Sequence, residues 1–333
     1  MTGIGVYLPK ERIDAGEIAA ASGLPEWVVR EKLGVQGKPR PGPEDHPTQM
    51  GVWAAQDALE QAGIAASEVD VVISITEEYK EYPVWTAGIK LAFDLGADRA
   101  YAYDLGQKCG SGVLALKQAR DLIRADDSVN TVLVAGGYRN GDLIDFEDPN
   151  VRFMYNLGAG GAAAVVQRDA TRNEVLEAAI RTDGSFSLDV LVPVGGTKEP
   201  LTRENVDRFR LQVGDPKGMK ERLEQASLDN FVAVVRQAVT RSGASLGDVS
   251  YLAALHVKRS AHEYLLSELG LGREQSIYLE EFGHLGQVDQ FLSLQLAQRQ
   301  GKLRPGDLVV LVAAGVGYVW NALCLRWGET EQQ

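Results

Sequence analysis

Four side chains in this sequence have the types and settings that nucleophilic and acid–base chemistry requires: Cys109, His256, His284 and Glu77. Cys109 lies in YDLGQKCGSGVLALKQA, where a short strand, AYAYDL from Ala100, gives way to a glycine-flanked turn and then a helix. A thiol at such a turn sits beside the first turn of the helix. There the unpaired N–H groups and the macrodipole favour a thiolate, and Lys108 adds positive charge. The small neighbours Gly110, Ser111 and Gly112 leave room for a thioester to approach the backbone. A buried structural thiol is the plain alternative, and it is how Cys324 reads in WNALCLRW. Two cysteines are too few for a disulfide framework and lack the spacing of a zinc site, so no metal is expected.

His256 closes the otherwise apolar strand YLAALH, which puts its imidazole at the carboxyl edge of a sheet, where a thiol nucleophile needs a base or a hydrogen-bond donor. A satisfied core histidine is the alternative. His284 lies between glycines in EEFGHLGQVDQFLSLQLAQ, in a place broadly equivalent to the turn that carries Cys109. Asp289 reads as a favourable first-turn acid of the following helix rather than as the partner of a histidine. Glu77 follows the strand DVVISIT from Asp70, and it is either a general base or a solvated loop carboxylate. His262 is expected on a helix surface and His46 in a solvent-exposed loop. LGAGGAAAVVQ from Leu157 lacks a full G-x-G-x-x-G and reads as close strand packing.

The elements that must position these groups alternate helix and strand. TQMGVWAAQDALEQAG from Thr48, DVVISIT, SGVLALKQARDLIR from Ser111 and NTVLVAGG from Asn130 imply a mostly parallel sheet covered by helices. The same order returns in LDNFVAVVRQAVTRSG from Leu228, DVSYLAALH from Asp248, QFLSLQLAQRQG from Gln290 and GDLVVLVAAG from Gly306. Gly63 and Gly243, Val69 and Val249, and Thr76 and His256 are each about 180 positions apart, as an internal duplication requires. A site between two such halves draws on strand ends from both.

The chain has 333 residues, with 46 acidic against 34 basic side chains and a net charge of −12. That balance supplies no basic stripe for nucleic acid. No apolar run suits a membrane helix, and MTGIGVYLPK lacks the features of a secretory leader, so a cytoplasmic protein is expected.

Taken together, these segments resemble the thiolase superfamily, and most of all the β-ketoacyl-acyl-carrier-protein (ACP) synthase III family. The resemblance spans nearly the whole chain. It rests on GIGVYLP, PEWVVREKLGV from Pro25, the cysteine turn, LGAGGAAAVV, the His256 strand end and GKLRPGDLVVLVAAGVGYVW from Gly301. It implies an α/β, five-layer αβαβα fold built from two duplicated halves, 1–170 with the cysteine and 171–333 with the histidines, in a homodimer. It implies that Cys109 takes an acyl group from acyl-CoA or acyl-ACP, with no cofactor, before Claisen-type condensation with a second thioester. His256 would donate to the second substrate, and the backbone N–H groups of Cys109 and Val316 would form an oxyanion hole. Trp27 and Arg152 would contact the CoA nucleotide, and Tyr82 would reach the partner subunit. Two departures stand out: His284 occupies the place of the family's asparagine, and Glu77 resembles the general acid/base of 3-hydroxy-3-methylglutaryl-CoA synthase. Acyl transfer to oxygen or nitrogen, non-decarboxylative condensation and a catalytically weak acyl-CoA-binding subunit are the alternative readings.

Overall fold

Strands that are apolar at every position must be covered on both faces. Val71, Ile73 and Ile75 pack into one cluster while Val69 and Val72 pack into another, and Val309 and Leu311 alternate with Leu308 and Val310 in the same way. Each sheet is therefore an inner layer between helices.

The computed structural model describes residues 1–329. The first half runs β1 (Gly3–Tyr7), β2 (Glu11–Asp14), α1 (Ala15–Ser22), β3 (Gly37–Arg40), α2 (Pro47–Ala62), β4 (Val71–Ser74), α3 (Ala87–Leu95), β5 (Tyr101–Asp104), α4 (Ser111–Ala125), β6 (Thr131–Tyr138) and β7 (Gly160–Gln167). The second runs β8 (Arg172–Thr182), β9 (Val190–Leu191), β10 (Gln212–Val213), α5 (Pro216–Arg241), β11 (Val249–Ala254), α6 (Arg259–Leu269), α7 (Asp289–Arg299), β12 (Leu308–Gly315) and β13 (Val319–Glu329). One sheet has the order β1-β7-β6-β4-β5 and the other β11-β12-β13-β8. Reversed, the second order superimposes on the first, with β8, β13, β12 and β11 in the places of β1, β7, β6 and β4. A lone parallel bridge between Leu252 and Ser276 stands where β5 would be. The caps repeat too, since α2 ends at Gly63 and α5 is followed by Gly243, both left-handed at φ 70° and 74°.

α2 and α3 cover one outer face, α5 and α6 the other, and α4 and α7 lie between the sheets, which makes five layers. The sheets are mixed rather than mostly parallel. β4 runs parallel to β5 and β6, but β7 is antiparallel to both β1 and β6. The short turn from β12 to β13 forces the same reversal in the second half, because so few residues cannot carry a parallel crossover.

Two further expectations change. The helix anticipated from Leu228 begins at Pro216, where Asp215 caps it by accepting from the Gly218 N–H at 3.0 Å; its polar first turns carry no apolar stripe to reveal them. His262 is buried rather than on the surface, its ring 5.2 Å from that of Tyr278, and burial pushes it down to about 4.

α2 lies unusually close to its sheet. A Cβ on Gly5 would fall 1.8 Å from the Ala54 carbonyl oxygen, and one on Gly161 2.2 Å from that of Met50. Gly5→Ala must displace helix backbone, so denaturant unfolding should show a loss of about 3 kcal/mol, the upper range for overpacking a core.

Candidate active site

The thiol is placed by a strained turn that the opposite half of the molecule holds. After β5, Lys108 adopts a left-handed φ of 52°, and Cys109 occupies a single helical turn ahead of α4. The Ser111 hydroxyl accepts the Gln107 N–H at 2.8 Å. From β13, the Asn321 amide donates to the Gln107 side chain at 2.8 Å and to the Gly110 carbonyl at 2.9 Å. Gly112 lets α4 approach α7, because a Cβ there would lie 2.7 Å from the Phe291 ring.

His284 faces the sulfur, with Nε2 3.2 Å from Sγ of Cys109. Its Nδ1 lies 2.6 Å from Oδ2 of Asp289, and a carboxylate there can only accept. The proton therefore sits on Nδ1 in the neutral ring, and Nε2 is free to take the proton of the thiol. Asp289 also accepts the backbone N–H of His256 at 2.7 Å and of Leu285 at 2.7 Å. It begins α7, as expected of a first-turn acid, but it also orients the histidine, a role the sequence reading had set aside. Burial pushes the Cys109 thiol up, and the nearby His284 opposes that rise. His284 loses proton affinity by burial but regains more from Asp289 and the Cys109 sulfur, which together raise it well above the usual histidine range. These two sites exchange protons as a pair.

His256 is not bonded to the thiol. Its Nε2 donates to the Gly34 carbonyl at 3.0 Å and its Nδ1 accepts from the Asn156 amide at 2.9 Å. Both ring nitrogens are thus satisfied within the protein, and burial pushes the ring down to about 4, so it is neutral near pH 7. A donor role toward a second substrate would first require one of these bonds to break.

Glu77 is buried rather than solvated. Its Oε2 accepts from the Asn140 amide at 2.8 Å, while Oε1 has no hydrogen-bond partner among the described residues. Burial pushes the carboxyl up to about 7, against the lowering effect of Lys108. Near-neutral carboxyl groups of this kind are suited to general acid–base work.

Cys109, His256, His284 and Glu77 line one cleft of about 1120 Å³, together with Val316, Asn140, Asn156, Tyr138 and Arg152. Its apolar wall comes from Phe153, Leu191, Leu211, Met219 and Phe231. Trp27 lies outside this lining and is 54% exposed. Tyr82 is also remote from the thiol, on an exposed loop where it meets Trp85 edge to face at 5.6 Å.

Residues 103–184 match the family described as 3-oxoacyl-ACP synthase III, and residues 239–327 match its C-terminal region, together about half of the chain. Each half contributes to these matches, and the cysteine turn between β5 and α4, His256 and His284 fall within them. The chain belongs to the synthase III family of the thiolase superfamily. Among its curated relatives, the β-ketoacyl-ACP synthase III of Symbiobacterium thermophilum is 25% identical over 98% of each chain. That of Rhodospirillum centenum is 28% identical over the same share. The crystal structure of 3-oxoacyl-ACP synthase III from Aquifex aeolicus, 22% identical, superimposes with a TM-score of 0.84 over 98% of this chain and 99% of that one. It shares the five-layer fold.

Asn156 and Asn140 carry no sequence signal of their role, since each lies in an irregular connection whose path depends on contacts far along the chain. Asp289 did carry one: an acid close after a glycine-flanked histidine.

If the carboxylate sets the basicity of His284, iodoacetamide should alkylate Cys109 faster as pH rises through the pair's loss of a proton, above the ordinary histidine range. Asp289→Asn removes the charge that holds that proton. The rise should therefore move to lower pH, while the plateau rate, set by the free thiolate, should fall by less than about tenfold, as expected of a somewhat less basic sulfur nucleophile.

Proposed function

We propose that the chain is a condensing acyltransferase of the synthase III type that carries its acyl group on Cys109. The observation that carries this reading is the Sγ–Nε2 contact of 3.2 Å backed by the 2.6 Å bond from His284 to Asp289. His284 takes the thiol proton, the sulfur attacks the thioester carbonyl, and the N–H groups of Cys109 and Val316 face the developing oxyanion. The departing CoA or carrier-protein thiolate takes the proton back from His284. Arg152 at the cleft and the exposed Trp27 are proposed to hold the carrier's nucleotide or phosphate end.

In the second half-reaction Glu77 is the group available to remove a proton from the α-carbon of a second thioester; the resulting enolate attacks the acyl-cysteine, a carbon–carbon bond forms as the carbon–sulfur bond breaks, and the released Cys109 thiolate is reprotonated with the proton that Glu77 took. A second reading has one observation in its favour: both ring nitrogens of His256 are occupied, so the pair of free donors that decarboxylation of a malonyl group needs is not in place. In that reading His284 deprotonates an alcohol or amine acceptor, and the product is an ester or amide.

We also propose a homodimer in the cytoplasm. β5 is an edge strand with Tyr101 exposed, and Phe93 of α3 and Val84 of the Tyr82 loop are exposed beside it, an apolar face that a second copy would cover. Light scattering at micromolar concentration should give twice the chain mass, and Phe93→Glu should return the chain mass.

Intact-mass spectrometry with a panel of acyl-CoAs should show one acyl adduct, mapped to Cys109 and absent in Cys109→Ala. Label on Cys324 would overturn the proposal. Glu77→Gln should leave this acylation within about twofold yet lower condensation by roughly 10²- to 10⁴-fold. Ester or amide formation undiminished in Glu77→Gln would establish the second reading.

A further inference from the structure

Lys38 is a buried ammonium in β3, in the same half as the thiol, that the proposed chemistry does not use. Its Nζ donates to the carbonyls of Tyr155 at 2.7 Å and Leu157 at 2.6 Å, and it lies 5.1 Å from the centre of the Phe146 ring. None of the carboxylates of the described residues forms an ion pair with it; the nearby Asp142 is bonded to Arg139 at 2.6 Å, and Arg40 adds like charge. Burial pushes Lys38 down to about 7. Holding an ammonium at such a place is costly, and the usual compensation by an opposite charge is missing.

The residue between those two carbonyls is Asn156. Its amide donates to Nδ1 of His256 at 2.9 Å, and its backbone carbonyl accepts the His284 N–H at 2.9 Å. The next link, from the Gly158 N–H to the His284 carbonyl at 3.0 Å, completes a short parallel bridge between the segments. The Lys38 stem lies against both: a Cβ on Gly158 or Gly283 would meet the Lys38 Cβ at 3.4 or 3.3 Å. The segment leading into β3 holds His256 from the other side, because the Gly34 carbonyl accepts its Nε2–H.

We propose that Lys38 is a positioning residue for both histidines of the site: by bridging the Tyr155 and Leu157 carbonyls it fixes Asn156, which sets the ring of His256 and the backbone of His284. This rests on the acyl-Cys109 reading given above. Lys38 does not line the cleft, so it acts through the chain segments it holds, Asn156 foremost. A residue needed only for folding would lower the amount of folded protein without changing each folded molecule's chemistry.

The test compares the unmodified chain with Lys38→Met, Asn156→Ala and the double variant, measuring acyl-CoA turnover per folded molecule and the ¹⁵N shifts of the histidine rings. Lys38→Met should lower kcat by tenfold or more with KM within about twofold, and should shift the His256 ring signals. The double variant should lose no more than the larger of the two single losses. Full turnover per folded molecule in Lys38→Met, unmoved ring signals, or multiplying losses in the double variant would overturn the proposal. If Lys38→Met does not fold, Asn156→Ala decides alone: the proposal requires the same fall in kcat and the same displaced ring signals, and full turnover there ends it. Absence of any acyl adduct on Cys109 in the unmodified chain would instead overturn the acyl-enzyme reading.

Discussion

The site depends on one buried carboxylate. Asp289 accepts three hydrogen bonds, from the ring of His284 and from the backbone of Leu285 and His256, and so fixes the end of β11, the glycine-flanked turn and the start of α7 together. A carboxyl group with no solvent contact is tolerated only when its oxygens are satisfied; here the His284 ring and the Leu285 and His256 N–H groups supply the donors, and its place at the start of α7 adds the helix dipole. The same charge raises the basicity of His284. The closure of the turn and the basicity of the ring beside the thiol thus share one interaction.

The duplication explains why the reactive groups come from both halves. Gln287, two residues before Asp289, donates to the carbonyls of Ile75 and Gly137 at 2.7 and 3.0 Å, while Gln290, one residue after it, donates to that of Val312 at 3.0 Å. The turn that opens α7 is therefore tied to strands of both sheets. In the reverse direction, Asn321 of β13 holds the cysteine turn of the first half. Each half supplies the other with what its own strand ends lack, and the cleft lies where the exchange occurs.

Much of this was legible in the sequence because apolar period and glycine placement are local. The repeated order of helix, glycine and strand revealed the two sheets, and the cysteine, the two histidines and Glu77 were all recognised by their positions after strands. What was hidden depended on distance along the chain. Whether Glu77 is solvated is decided by Asn140, 63 residues away, and whether His256 is free is decided by Gly34 and Asn156, 222 and 100 residues away. The sheet direction was misread for a related reason, since an antiparallel return such as β12 to β13 looks locally like any other apolar run.

The resemblance expects an asparagine at the place of His284, and here a histidine backed by an aspartate stands there, which changes the chemistry that position can supply. An asparagine amide can only donate or accept a hydrogen bond; it does not take a proton at neutral pH. A histidine whose Nδ1 is held by Asp289 presents a basic Nε2 to the thiol, and in the proposed acyl-enzyme the same nitrogen would face the thioester. With His256 neutral and both its nitrogens engaged, the charge balance of the proposed second step would fall to His284 and to Glu77, which burial pushes up to about 7. Two bases of different strength in one cleft divide the work by acidity: an imidazole suits a thiol, alcohol or ammonium proton, whereas a desolvated carboxylate suits a carbon acid acidified by its thioester. In the proposed mechanism, which of the two faces the acceptor would therefore set whether the acyl group leaves Cys109 for carbon or for a heteroatom.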